Sequence, residues 1–324
     1  MLGSFDEKDK NEQPLVSMVS VFYNRGYCVK ESVQSMLDQT YSNIEIILVD
    51  DESTDNTLEE LRKFEFDSRV KVLTHSNMGF TRSIKRAIEE ISKGEYIAIH
   101  GSGDISLENR LNEQVSFLNS NLDYACVACG RFIVKKTEIK EINSELFISP
   151  GRFLSFASNP FSHGEMLFRK SAYLSVGGYR EEFEYAQDYD LWLRINDKFW
   201  IARVESVLYK EFSREDGVKE NIGNTLKQNK FSQMAKLCKK LNYTPSKEEI
   251  ESFSVLEGQS SVAKHFLKLS LYFILNQRLN FAKRFVDESL RIKFTLAAYI
   301  ARSLLINKLG LVVARLLKKI SKVF

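Results

Sequence analysis

Four polar clusters in this sequence each follow directly on a short apolar run, and each carries side chains able to bind a ligand. They are Asn24 and Arg25 after the run at 15–22, Asp50 and Asp51 after 44–49, Asn77 after 70–73, and Asp104 after 96–100. Adjacent carboxylates such as Asp50 and Asp51 serve either as turn and helix-start acceptors or as acceptors for ligand N–H and O–H groups. Asp104 is either a ligand for a hard cation or a helix cap. No Gly-x-Gly-x-x-Gly follows the first run, and Gly101-Ser102-Gly103 has neither the spacing nor the place of one, which excludes a dinucleotide-binding loop. Cys126 and Cys129 are spaced Cys-x-x-Cys, but no second pair completes a zinc site and their surroundings are apolar, so they read as buried thiols.

The elements that must position these clusters follow from periodicity. The runs at 15–22, 44–49, 70–73 and 96–100 are short, apolar and strand-like. Between them, Val29, Val33, Met36 and Leu37 recur at helical spacing. Asp55 stands where an N-cap would precede Leu58 and Leu61, and residues 80–92 place Ile84, Ala87, Ile88 and Ile91 on one face. Strands alternating with helices of this length predict an α/β fold, a mostly parallel sheet with right-handed crossovers and flanking helices. In such a sheet the loops after the carboxyl ends of the strands line the ligand crevice, so the four clusters converge on one edge.

Several strings are then recognisable: VSVFYN at 19–24, SMLDQTYSN at 35–43, EIILVDDESTDNT at 45–57, residues 77–88, GEYIA at 94–98, GGY at 177–179 and DYDLWLR at 188–194. Over residues 15–212 the chain resembles the family 2 glycosyltransferases of the GT-A fold. That resemblance implies transfer of a sugar from a nucleotide-diphosphate donor to a hydroxyl, with inversion at the anomeric carbon. On the donor side it implies that Tyr23 packs against the base, that Asn24 and Asn77 face the same crevice, and that Asp51 accepts from base or ribose. Arg82 and Lys85, three apart on one helical face, either neutralise the diphosphate or form a solvated face. A divalent cation, Mg²⁺ or Mn²⁺, is implied as cofactor. Here, however, two positions that normally carry aspartate are Gly101 and Gly103, leaving Asp104 to hold the ion with ligands from diphosphate and water.

On the acceptor side Asp188 takes the position of the catalytic base, the alternative being an N-cap, and Asp190 reads as a supporting or structural carboxylate. His163, Gly164 and Glu165 are expected to line the acceptor region, together with Gly178 and Trp192, and Arg214 stands where relatives place a phosphate-contacting basic motif. A competing reading is a degenerate relative that binds nucleotide sugar or a partner glycosyltransferase without turnover; the presence of Asp188 argues against it. Nucleotidyltransferase chemistry is weaker still, because Asn24-Arg25-Gly26-Tyr27 is not a glycine- and basic-rich first loop.

Charge divides the chain. Residues 1–215 carry 26 Lys and Arg against 35 Asp and Glu, whereas 216–324 carry 20 against 8. The sequence therefore predicts a polar lead at 1–14, a GT-A domain at 15–215 and a basic helical region at 216–324. No apolar stretch is long enough for a membrane span, and the acidic, polar start does not read as a signal peptide. After Glu288 there is no acidic residue, and from Leu309 apolar and basic side chains alternate at helical spacing. Such a helix binds either a membrane surface or a packing partner, and the charge favours the membrane. The expected setting is cytoplasmic, peripheral at the inner face of the membrane. The partners would be a nucleotide-sugar donor and a glycan or lipid-linked acceptor for a bacterial surface polysaccharide, and no nucleic acid.

Overall fold

The computed structural model of the chain describes residues 13–135, 137–153, 158–213, 222–246, 249, 250 and 287. Apolar, β-branched runs form the strands expected of them. β1 (Val16–Phe22), β2 (Ile44–Asp50) and, further on, β4 (Tyr96–Ile99) are buried along almost their whole length, as strands covered on both faces must be. β3 (Val70–Thr74) is half-buried at the sheet edge. β1 pairs in parallel with β2 and β4, and β2 with β3. Val29, Val33 and Met36 of α1 (Val29–Leu37) and Leu61 of α2 (Thr57–Arg62) pack against this parallel half.

Two local expectations are corrected. The N-cap of α2 is Asn56, and Asp55, one residue earlier, accepts from both the amide and the hydroxyl of Thr57 and from the Gly26 amide. The helix expected over 80–92 is α3 (Phe80–Arg86) followed by a π-helical turn, Ala87–Ile91, in which the Ser92 amide reaches back to the Ala87 carbonyl.

The second half of the sheet is mixed. After β5 (Ile105–Ser106) and α4 (Arg110–Ser120) come β6 (Tyr124–Val134), β7 (Ile139–Ile142), β8 (Leu146–Ile148) and β9 (Met166–Arg169); α5 (Lys170–Ser175) and α6 (Gln187–Ile195) then precede the long β10 (Trp200–Phe212). The strand order is β3-β2-β1-β4-β9-β6-β10-β5, with β7 on β6 and β8 on β10. β9 is the seam, antiparallel to β4 on one side and to β6 on the other. Arg169, at its end, bonds to the Tyr96 hydroxyl of β4 (2.9 Å), the Tyr124 carbonyl of β6 (2.9 Å) and the Leu118 carbonyl of α4 (2.7 Å).

The chain divides into two compact units, Met1–Lys239 and Lys240–Phe324. The charge boundary near 215 falls in 214–221, outside the described residues, as do Arg214, most of the polar lead and the terminal basic helix. α7 (Ile222–Leu241) follows as a helix, as expected for that region. In the second unit the Ser246 amide (2.7 Å) and the Tyr243 hydroxyl both donate to Glu249. Among the described residues, no helix is long and apolar enough to cross a membrane.

Candidate active site

At the mouth of β1, Tyr23 is 49% exposed. Asn24 turns into the left-handed region (φ 52°), where asparagine is tolerated, and its side-chain oxygen accepts from the Thr54 amide at 2.8 Å, tying the β1 and β2 loops together. Gly26 lies close beneath them: a Cβ there would come 2.0 Å from the Asn56 side-chain oxygen and would have to displace that side chain.

Asp51 is only 3% exposed. Its carboxylate accepts from the amides of Met78 (3.0 Å) and Gly79 (3.1 Å) and from the Ser83 hydroxyl (3.0 Å), while Asn77 Nδ2 donates to the Asp51 carbonyl (2.9 Å). The carboxylate thus holds the start of α3 and the Asn77 loop in place. Replacing Asp51 with alanine would orphan the two amides, at about 1–3 kcal/mol of stability, while the Ser83 hydroxyl keeps the Gly79 carbonyl as a partner (3.0 Å), and would loosen both sides of the crevice. The expected result is a lower melting temperature together with weaker nucleoside-diphosphate binding; parental affinity by calorimetry would separate this carboxylate from the binding crevice.

Arg82 and Lys85 do lie together, but both face Glu181, at 3.1 and 3.2 Å. The pairs are largely exposed and add little stability.

Asp104 does not cap a helix: α4 starts six residues later, with Asn109 as its N-cap. Its Oδ2 accepts from the Tyr209 hydroxyl (2.8 Å) and its Oδ1 from the Phe212 amide (3.0 Å). Among the described residues, no group of three or more His, Cys, Asp or Glu side chains is placed to hold a metal. A single carboxylate fits a cation that brings its other ligands with it rather than a protein-caged ion. Next to it His100 is buried, with Nδ1 3.0 Å from Ser106 Oγ and Nε2 3.0 Å from Ser32 Oγ. Burial, and then the Arg110 charge, push its pKa down to about 3, so it is neutral.

His163 packs among aromatic side chains. Its ring meets Phe80, the first residue of α3, edge-on at 5.6 Å and Tyr179 at 5.7 Å, and its Nε2 is 2.5 Å from the Tyr179 hydroxyl. Burial lowers its pKa to about 3, which makes it a neutral hydrogen-bonding group. Gly164 lies against Tyr209, where a Cβ would come within 2.2 Å of the hydroxyl. A path of contacts therefore runs from Asp51 through Gly79, Phe80, His163, Gly164 and Tyr209 to Asp104, linking the separate sequence clusters.

Glu165, expected in the acceptor region, instead points inward. It is 0% exposed and pairs with Arg131 (2.5 Å) and Arg203 (3.5 Å), while Ser162 completes a capping box with it. Gly178 is left-handed (φ 63°) against Tyr173 and Glu89, where only glycine fits. Asp190 is buried between Arg194, bound by two nitrogens at 2.7 and 3.0 Å, and Arg180 (3.4 Å).

Asp188 lies on the first turn of α6, whose N-cap is Ala186 with φ 53°. It is 9% exposed, and Asn159 Nδ2 donates to its Oδ2 at 2.9 Å. Trp192, one turn on, is buried with its indole N–H unpaired and its ring 6.3 Å from His163. Tyr209, Phe80 and Asn159 were not legible as site residues. Each is an ordinary side chain in sequence, brought to the cleft by a distant element.

The family model described as Glycosyl transferase family 2 matches residues 17–177, ending before α6. EpsE of Bacillus subtilis, named as a glycosyltransferase, is 31% identical over 216 residues, 64% of this chain and 77% of that protein. The UDP-Glc:α-D-GlcNAc-diphosphoundecaprenol β-1,3-glucosyltransferase WfgD of Escherichia coli is 35% identical over 107 residues, 33% of this chain and 42% of that one. The chain spans between 33% and 65% of the length of several other curated relatives. In three dimensions, the mannosyltransferase PcManGT of Pyrobaculum calidifontis, solved with GDP-Man and Mn²⁺, superposes with a TM-score of 0.55 at 16% identity, over 95% of this chain and 88% of that one. This likeness establishes the GT-A fold.

Proposed function

Because the chain belongs to glycosyl transferase family 2 and is a glycosyltransferase, we propose that it works by inversion with Asp188 as the general base. An acceptor hydroxyl loses its proton to the Asp188 carboxylate as its oxygen bonds to the anomeric carbon. The bond from that carbon to the nucleoside diphosphate breaks, and the electron pair leaves with the diphosphate. The observation that carries this reading is the bond from Asn159 Nδ2 to Asp188 Oδ2, which orients one oxygen of a nearly buried carboxylate on the first turn of α6. Tyr23, Asn24 and the Asp51-held Asn77 loop form the nucleotide side, and His163, Trp192 and Gly178 support the acceptor side.

Asp104 would hold a divalent cation that arrives with the donor; when bound, such an ion neutralises charge on the leaving diphosphate. Mn²⁺ is therefore expected to bind weakly to the protein alone and measurably once a nucleoside diphosphate is present. Full activity in excess EDTA would assign the leaving-group charge to Arg82 and Lys85, which must first give up Glu181.

The acceptor we propose is a lipid-linked glycan at the cytoplasmic membrane face, within surface-polysaccharide synthesis. Support comes from the diphosphoundecaprenol-linked substrate named for WfgD and from the excess of 20 basic over 8 acidic residues at 216–324. The test is a screen of UDP- and GDP-sugars on anionic vesicles carrying a polyprenyl-diphosphate-linked sugar, following nucleotide release and product configuration by NMR. The expected product has the anomeric configuration opposite to the donor's. A product of retained configuration would overturn the inverting reading, and equal transfer to soluble acceptors without vesicles would overturn the membrane one.

A further inference from the structure

Gly101 and Asp104 compete for one space. A Cβ on Gly101 would lie 2.3 Å from Asp104 Oδ2 and 3.2 Å from the Tyr209 hydroxyl, so the carboxylate of residue 104 fills the volume in which a side chain at 101 would begin. The loop is closed for this purpose: the Asp104 amide donates to the Gly101 carbonyl (2.9 Å), Gly103 is left-handed (φ 86°), and the Gly103 amide donates to Ser32 Oγ (3.0 Å). Tyr209 pins the result. Its hydroxyl donates to Asp104 Oδ2 and accepts from the Gly101 amide at 2.9 Å, which uses both of its hydrogen-bonding directions across the loop. The ring cannot drift, because Arg110 lies 4.9 Å over its face, His100 meets it edge-on at 5.8 Å, and Gly164 leaves no room behind the hydroxyl.

We infer that Gly101 and Tyr209 are positioning residues for the carboxylate of Asp104. Glycine at 101 vacates the space, the phenol holds the carboxylate folded back into it, and a carboxylate offered from position 101 can replace the one from 104. This inference rests on the reading that Asp104 faces the donor diphosphate. It goes further in specifying that the carboxylate is delivered by a compact four-residue turn whose glycine is obligatory only while residue 104 is acidic. The ligand chemistry is a nucleoside diphosphate with its divalent cation.

The test is a set of double-variant cycles on the full chain, read by melting temperature and by calorimetry with UDP and GDP, each with Mn²⁺. D104A is expected to weaken binding of the preferred nucleotide about tenfold or more. G101A should do nearly as much, because the added methyl displaces the carboxylate, and should lower the melting temperature by a few degrees. In the D104A background the same methyl should cost nothing further in either measurement. G101D/D104A should recover binding to within a few-fold of the parent, and Y209F should weaken binding only while Asp104 is present. Additive losses for G101A and D104A, or Y209F effects that persist without Asp104, would overturn the inference. Failure of G101D/D104A to bind better than D104A would overturn the replacement of one carboxylate by the other. If D104A binds nucleotide like the parent, the donor-side reading of Asp104 falls instead, and the melting cycle still decides whether residues 101 and 104 exclude one another.

Discussion

Replacing Asp188 with asparagine is expected to lower the rate of transfer by about 10²- to 10⁴-fold while leaving nucleoside-diphosphate affinity and melting temperature near the parental values. The substitution keeps size and shape, and its side-chain oxygen can still accept the bond that Asn159 Nδ2 now makes to Oδ2. The N-cap of α6 is Ala186, so the residue at the helix start is unchanged. What is lost is the ability to take a proton, and that is needed only as the acceptor oxygen attacks. The check is kcat under saturating donor beside calorimetry with the nucleotide alone. Transfer at the parental rate would remove Asp188 from the chemistry, and a large loss of nucleotide affinity would place it on the donor side instead.

Alanine at Glu165 should have the largest effect on stability, about 3–5 kcal/mol. Burial raises the pKa of this carboxyl, and the guanidiniums of Arg131 and Arg203 oppose that rise. Removing it leaves Arg203 without its carboxylate and Arg131 with Glu211 (3.1 Å) as its remaining anionic partner. It also undoes the capping box at Ser162, from which the turn bearing His163 and Gly164 springs. Urea unfolding of the parent and E165A measures the loss. A difference below about 1 kcal/mol would mean that water or another group compensates the arginines. The neutral E165Q should fall between the two, because it keeps the acceptor for the Ser162 amide (3.1 Å) but not the charge.

The parallel half of the fold was legible because strands buried on both faces read as unbroken apolar runs and their helices as 3.6-residue stripes, as at Val29, Val33 and Met36. The mixed half was not. β6 and β10 are long strands that bend and shift register, with irregularities between Arg203 and Val207 and between Val207 and Tyr209, and polar residues such as Arg131 and Arg203 interrupt their alternation. Those same arginines are the partners of Glu165, so a carboxylate that looks like a loop residue in sequence is in fact buried at a strand pair formed from distant segments. The Asp190 and Arg194 partners lie one helical turn apart, within reach of local reasoning. The partners of Asp104, Tyr209 and Phe212, are over a hundred residues downstream and beyond it.

The seam at β9 limits how such a protein can be recombined. Strands β4 and β9 are neighbours in the sheet but are separated in the chain by the whole of β5 to β8, and the Arg169 guanidinium ties Tyr96, Leu118 and Tyr124 together across the join. A chimera that takes its nucleotide half from one parent and its acceptor half from another has to cut through that join. Unless both parents present the same hydroxyl and the same carbonyls to Arg169, the guanidinium is left buried with unmet donors. Leu118 and Tyr124 offer only backbone carbonyls, so the side chains that must match across the join are Tyr96 and Arg169, and a graft that begins beyond Arg169 keeps that pair intact.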